Sequence, residues 1–205
     1  MLNKDDLMFS EPKHGWTRFN LKKYNQILCN GLEFKNPVFN DTTDWRNIVR
    51  VSYLTPLPIS MFRMLINSLK NREGYYDSAV TFATFDAEGW SWMLGFSYEG
   101  FNIIIPNTEY NLQDNVPEWF GFGLIGGMKD IAKDWLECWE AYKNEWIDFC
   151  DCGEYADLEV IRVTYGEDAA QDIIKRREST IKILSNLEAE LKDCLENKTV
   201  EYKIF

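Results

Sequence analysis

The sequence predicts an α+β protein, with a small antiparallel sheet and one packed helix followed by a two-helix C-terminal hairpin. Three observations lead there. The first half carries apolar, β-branched and aromatic residues in short runs; one of those runs alternates strictly; and beyond Pro106 and Pro117 the chain turns charged, with apolar residues at helical spacing. The division falls at residue 106, giving a sheet region over 1–106 and a helical region over 107–205 that packs on it as one composite domain.

Five strands are predicted, over 16–21, 48–54, 79–85, 90–96 and 101–105, forming one sheet. In the fourth, Trp90, Trp92, Leu94 and Phe96 share one face and Ser91, Met93, Gly95 and Ser97 the other, because side chains alternate along a strand. Asp86-Ala87-Glu88-Gly89 reads as the hairpin between the third and fourth strands, with Gly89 where a short turn needs a left-handed residue. Between the second and third strands, Phe62, Leu65, Ile66 and Leu69 recur at helical spacing, which predicts a helix over 59–71 lying on the sheet above Trp90 and Trp92.

Two long helices are predicted over 125–149 and 167–197. Met128, Ile131, Trp135, Trp139, Tyr142, Trp146 and Phe149 form an apolar stripe on the first, opposite Asp130, Asp134, Glu137, Glu140 and Asp148. Ile174, Ile181, Leu184, Leu187, Leu191 and Leu195 repeat the pattern on the second. The segment 200–205 alternates weakly and could add an edge strand.

Composition bounds the partners. A net charge of −11 argues against direct binding to a nucleic-acid backbone, whose affinity comes from Lys and Arg displacing counterions, and it suits a basic protein partner. The charge is concentrated, with ten acidic residues against three basic ones between Lys129 and Glu159, a net −7. No membrane-spanning run or leader is read from the sequence, so the chain is expected in the cytoplasm, with its five scattered cysteines reduced.

Several residue patterns invite a chemical reading. Gly121-Phe122-Gly123-Leu124-Ile125-Gly126 matches a phosphate-binding fingerprint, but no buried strand of a βαβ unit precedes it, so a linker is expected. Cys150-Asp151-Cys152 lacks the spacing and the further ligands of a zinc site and reads as free thiols. Asp86 and Glu88 could serve as a hydrolytic pair, though a hairpin tip explains both. His14, the one histidine, is the obligatory general base of any His-dependent chemistry; beside Gly15 at a strand start it is expected instead to hydrogen-bond backbone. No catalytic residue, cofactor or metal is assigned.

The motifs His14-Gly15-Trp16-Thr17 with Phe19, Ser52-Tyr53-Leu54-Thr55 with Pro58, Ala79-Val80 with Phe82, and Phe85-Asp86-Ala87-Glu88-Gly89-Trp90 resemble a family of small proteins of Gram-positive gut bacteria and their mobile elements. The resemblance runs over roughly 13–105 and implies a shared fold; the family has no established activity. This sequence departs from the short members by extra residues between about Tyr24 and Trp45 and by its helical half.

The function expected is therefore non-enzymatic binding of a basic protein partner, as in an immunity protein or an antagonist of a bacterial defence system. The candidate partner-binding residues are Asp130, Asp134, Glu137 and Asp148 together with Trp135, Trp139 and Trp146. Core packing is the first expectation for the tryptophans, and a partner groove or homodimer contact the second. The alternative is a small hydrolase or ligand-binding enzyme with a site at His14, Trp16, Tyr53 and Trp90.

Overall fold

The computed structural model describes residues 7–20, 50–70, 81–86, 91–97, 100–106, 119–125, 128–151, 155 and 157–196. They form an α+β fold with six strands and five helices among the described residues: β1 (Trp16–Arg18), β2 (Arg50–Ser52), α1 (Leu57–Lys70), β3 (Thr81–Asp86), β4 (Ser91–Ser97), β5 (Gly100–Pro106), β6 (Trp119–Ile125), α2 (Met128–Ala141), α3 (Lys143–Cys150), α4 (Leu158–Tyr165) and α5 (Glu167–Glu196). The strands do not make one sheet. β1 and β2 pair antiparallel as a separate ribbon, and β3-β4-β5-β6 form a four-stranded antiparallel meander.

The first ribbon begins with a tight reversal. Lys13 and Trp16 exchange backbone hydrogen bonds at 2.8 and 2.9 Å across His14 and Gly15, whose φ values are 51° and 76°. Positive φ at both central residues is the type I′ hairpin geometry, which matches the right-handed twist of the flanking strands. Ser10 continues the pairing: its N–H donates to the Arg18 carbonyl at 2.9 Å, its Oγ accepts from Arg18 N–H at 3.0 Å, and its carbonyl accepts from Thr17 Oγ1 at 2.7 Å. This sets Phe9 opposite Phe19, both buried.

β2 ends sooner than predicted because Ser52 starts a turn. Its carbonyl accepts from Thr55 N–H at 3.1 Å and its Oγ from Leu54 N–H at 3.3 Å, which diverts the backbone from any ladder. α1 begins two residues before its predicted start. Pro58 sits in the first turn, where a missing N–H costs nothing. The helix packs against β3, β4, α2 and α5. Trp90, predicted beneath it, lies outside the described residues; Trp92 stands in β4 opposite Phe85.

β6 corrects the linker expected for 121–126. Phe120, Phe122 and Leu124 alternate with Trp119, Gly121, Gly123 and Ile125, so the segment has the period of a strand, with glycines occupying one face. Its register sets Gly121 opposite Ile104 and Gly123 opposite Asn102.

The long helix predicted over 125–149 is two helices. At Tyr142, with φ −135° and ψ 35°, the backbone leaves the helix, and its N–H turns to the Trp139 carbonyl at 3.3 Å. The Cys138 carbonyl, which would otherwise have received that N–H, accepts Trp146 Nε1 at 3.1 Å instead. A buried side chain thus satisfies the acceptor released by the break. α4 was not predicted at all; α5 spans the expected range to within one residue.

One cluster of buried residues joins the two halves of the chain. Phe9 is near its middle, edge-to-face with Phe19 at 5.2 Å, Trp135 at 6.0 Å and Trp146 at 6.1 Å, while Phe62 meets Trp135 at 5.5 Å and Trp139 at 5.3 Å. These are the offset geometries that the ring quadrupole favours.

Candidate protein-binding surface

The sequence proposed two sites, and the structure treats them differently. His14, Trp16 and Tyr53 do come together, at the tip of the first ribbon; Trp90 lies outside the described residues. The reason for their meeting is packing. Tyr53 N–H donates to the Gly15 carbonyl at 2.9 Å, and the Tyr53 ring covers Gly15 so closely that a Cβ there would stand 2.2 Å from Cδ1. His14 is exposed, and its role is conformational: histidine is one of the few side chains that tolerate a left-handed φ. That differs from the backbone-bonding side chain expected. No hydrogen bond from its imidazole occurs among the described residues.

The aromatic stripe is wholly internal. Trp135, Trp139 and Trp146 are each 0% exposed, so none of the three offers surface to a partner or a second copy in this conformation. Their removal from the surface follows from the amphipathic period of α2 and α3, which turns the opposite side to solvent. There Asp130 and Glu137 are exposed and Asp134 is half-buried.

Part of that acidic charge is held by bases. Asp130 pairs with Lys133 at 3.4 Å, and Glu140 with Lys192 at 3.0 Å. Asp148 is the fourth proposed partner residue, and it accepts Arg177 Nη2 at 2.6 Å while Arg177 Nη1 donates to Asp151. Tyr155 lies over the guanidinium with Cζ 4.3 Å from the ring centre. Burial lowers the Arg177 pKa and the two carboxylates raise it, and the carboxylates prevail. Asp148 is thus committed to fastening α3 onto α5, which makes it a poor contact residue for anything else.

A second fastening is centred on Glu188. Trp139 Nε1 donates to Oε2 at 2.8 Å, Lys143 to the same oxygen at 2.7 Å, and Lys192 to Oε1 at 2.7 Å. Burial pushes the carboxyl up, but these three hydrogen bonds outweigh it and hold the pKa at about 2.

An open cleft of about 260 Å³ lies between the end of α3 and α5, lined by Cys150, Asp151, Ile173, Arg176, Ser179 and Thr180. It gathers a thiol, a guanidinium and two hydroxyls, with Asp151 already engaged by Arg177. Among the described residues no group of three His, Cys, Asp or Glu side chains could hold a metal, and no helix is long and apolar enough to cross a membrane. Cys152 lies outside them. No protein-family model, curated protein or solved structure matches the chain.

Sequence reasoning missed the surface of α4. Val160, Val163 and Tyr165 are 63%, 86% and 74% exposed, and no residue of the helix is buried. The signal was present: Leu158, Val160, Ile161, Val163 and Tyr165 crowd apolar groups around an eight-residue helix that can bury only one side.

Proposed function

We propose that this chain is a non-enzymatic protein-binding protein that engages a basic partner through the solvent face of its helical layer. The supporting observation is that α2 and α3 turn Trp135, Trp139 and Trp146 inward while α2 leaves Asp130, Glu137 and Glu140 exposed. Carboxylates on a rigid helix act chiefly on encounter, raising the association rate of a cationic partner in a salt-dependent way. Likeness to proteins of mobile elements narrows the role to an immunity protein or an antagonist of a defence system, in which such a face would occupy the basic surface of a toxin or defence factor.

The test is affinity capture from an extract of the producing cell, followed by kinetics with the captured protein. Reversing Asp130, Asp134 and Glu137 to lysine should slow association tenfold or more at low salt, and much less above roughly 0.5 M, where the screening length falls to a few ångströms. Asp148 is spared because its reversal would unfasten Arg177. Association at the wild-type rate in low salt would reject the reading.

A further inference from the structure

α4 is an unusual helix to find on a surface. Its sequence, Leu158-Glu159-Val160-Ile161-Arg162-Val163-Thr164-Tyr165, is rich in β-branched residues, which lose side-chain freedom in a helix. Eight residues are too few to be helical alone in water. No side-chain cap holds its first turn, where Asp157 makes no capping hydrogen bond. It persists by packing on α5 and through Arg162, which bonds Glu159 and, at 2.7 Å, Glu167.

Beside Glu159 and Thr164, this helix shows large apolar side chains to solvent. Val160 and Val163 stand one turn apart on the same side, with Tyr165 exposed at the end. Around them the charge is almost all negative. Asp157, Glu159, Glu167, Asp168 and Asp172 are exposed. The base within that span is Arg162, already shared between two of those carboxylates; Lys175 beyond it reaches Asp172 at 4.0 Å.

An apolar stripe inside a frame of carboxylates is complementary to a helix with an apolar face flanked by lysine or arginine. It opposes a second copy of itself, because two such frames would bring like charges together. We infer that α4 is the anchoring site for a cationic amphipathic helix of the partner, with Val160 and Val163 supplying the apolar contact. This inference rests on the proposal that the chain binds a basic protein, and it places the apolar anchor of that contact on α4.

The probe is a labelled Leu/Lys peptide of about five helical turns with apolar residues at helical period, compared with a scrambled isomer of identical composition by fluorescence anisotropy at low salt. The intact chain should bind the amphipathic peptide at least tenfold tighter than its isomer. In Val160→Ser with Val163→Ser, that preference should vanish while weak, salt-sensitive binding of both peptides remains. Because both valines are exposed, the double variant should melt within a few degrees of the wild type, which separates lost contact from lost fold. Equal binding of the two peptides by the wild type, or an unchanged preference in the double variant, would overturn the inference. So would a wild-type dimer in sedimentation that the double variant dissolves, since a second copy would then own the face. If the lysine reversals on α2 weaken peptide binding and the serine pair does not, the acidic-face proposal stands and the α4 anchor falls; if neither peptide binds at all, both fall.

Discussion

Tyr53 lies against Gly15, its N–H bonded to the Gly15 carbonyl and its Cδ1 where any side chain at Gly15 would have to go. The left-handed φ and the ring contact are separate demands on one residue. Gly15→Ala should therefore cost more than strained backbone alone, on the order of 2–3 kcal/mol. In a Tyr53→Ala background the additional cost of Gly15→Ala should fall to about 1 kcal/mol, the share due to φ. Urea unfolding of the four proteins completes the cycle, and equal costs in both backgrounds would exclude the steric share.

His14 should tolerate exchange according to backbone preference, since its φ is positive and its side chain is exposed. His14→Asn is expected to hold stability within about 0.5 kcal/mol, because Asn suits the same turn position, whereas His14→Val should cost about 1 kcal/mol or more. Thermal unfolding of both variants checks the order, and His14→Asn falling below His14→Val would assign the imidazole a role of its own.

Trp135 and Trp146 are neighbours of equal burial with different polar duties. Trp146 Nε1 satisfies the Cys138 carbonyl at the α2–α3 break, while Trp135 Nε1 has no hydrogen-bond partner among the described residues. Both substitutions to Phe leave a similar void, but only Trp146→Phe also removes a hydrogen bond to a buried carbonyl. It should be the more destabilising by about 1–2 kcal/mol in chemical denaturation.

Glu188 gives the chain an acid limit. Its pKa is lowered from 4.5 to about 2 in the fold, so its contribution is fully present above the unfolded value and disappears as pH falls from about 4.5 towards 2. Glu188→Gln should destabilise the protein by about 2 kcal/mol at pH 7 and flatten the stability profile between those limits. The gap between variant and wild type should close on acidification, and a constant gap would mean that the loss is one of packing.

Arg177 should resist replacement by lysine. Its guanidinium spans Asp148 and Asp151 at once and lies against Tyr155, a geometry that a single ammonium cannot reproduce. Arg177→Lys is expected to lose most of what Arg177→Met loses, about 2–3 kcal/mol, because Asp151 stays buried in either case. Full rescue by lysine would reduce the contact to simple charge.

Legibility in the sequence followed the strength of local signals. α1 and α5 were found to within two residues because each shows a long amphipathic period with few conflicts. β6 reads as a linker while Gly121, Gly123 and Gly126 are weighed only as a phosphate fingerprint that no βαβ strand precedes, although Phe120, Phe122 and Leu124 keep strand period. α4 escaped because its β-branched composition contradicts helix, and only tertiary contact with α5 overrides that preference. The tryptophans were legible as a stripe, but whether a stripe faces a core or a partner depends on what packs against it. Here that is Phe9 and Phe62, from segments more than sixty residues earlier in the sequence. The run Leu7-Met8-Phe9 could have hinted at it.

The meeting of Phe9 with Trp135 and Trp146 has a consequence for how the chain is made. Phe9 leaves the ribosome more than 120 residues before Trp135 and Trp146, so the ring cluster cannot close until α2 and α3 emerge. Loop-closure entropy over such separations slows folding, and until the late helices emerge the early apolar segment must wait uncovered. The hairpin around His14 and Gly15, whose hydrogen bonds span 3 to 12 residues between Met8 and Asn20, can form at once, before β2 joins it, holding Phe9 beside Phe19 in readiness.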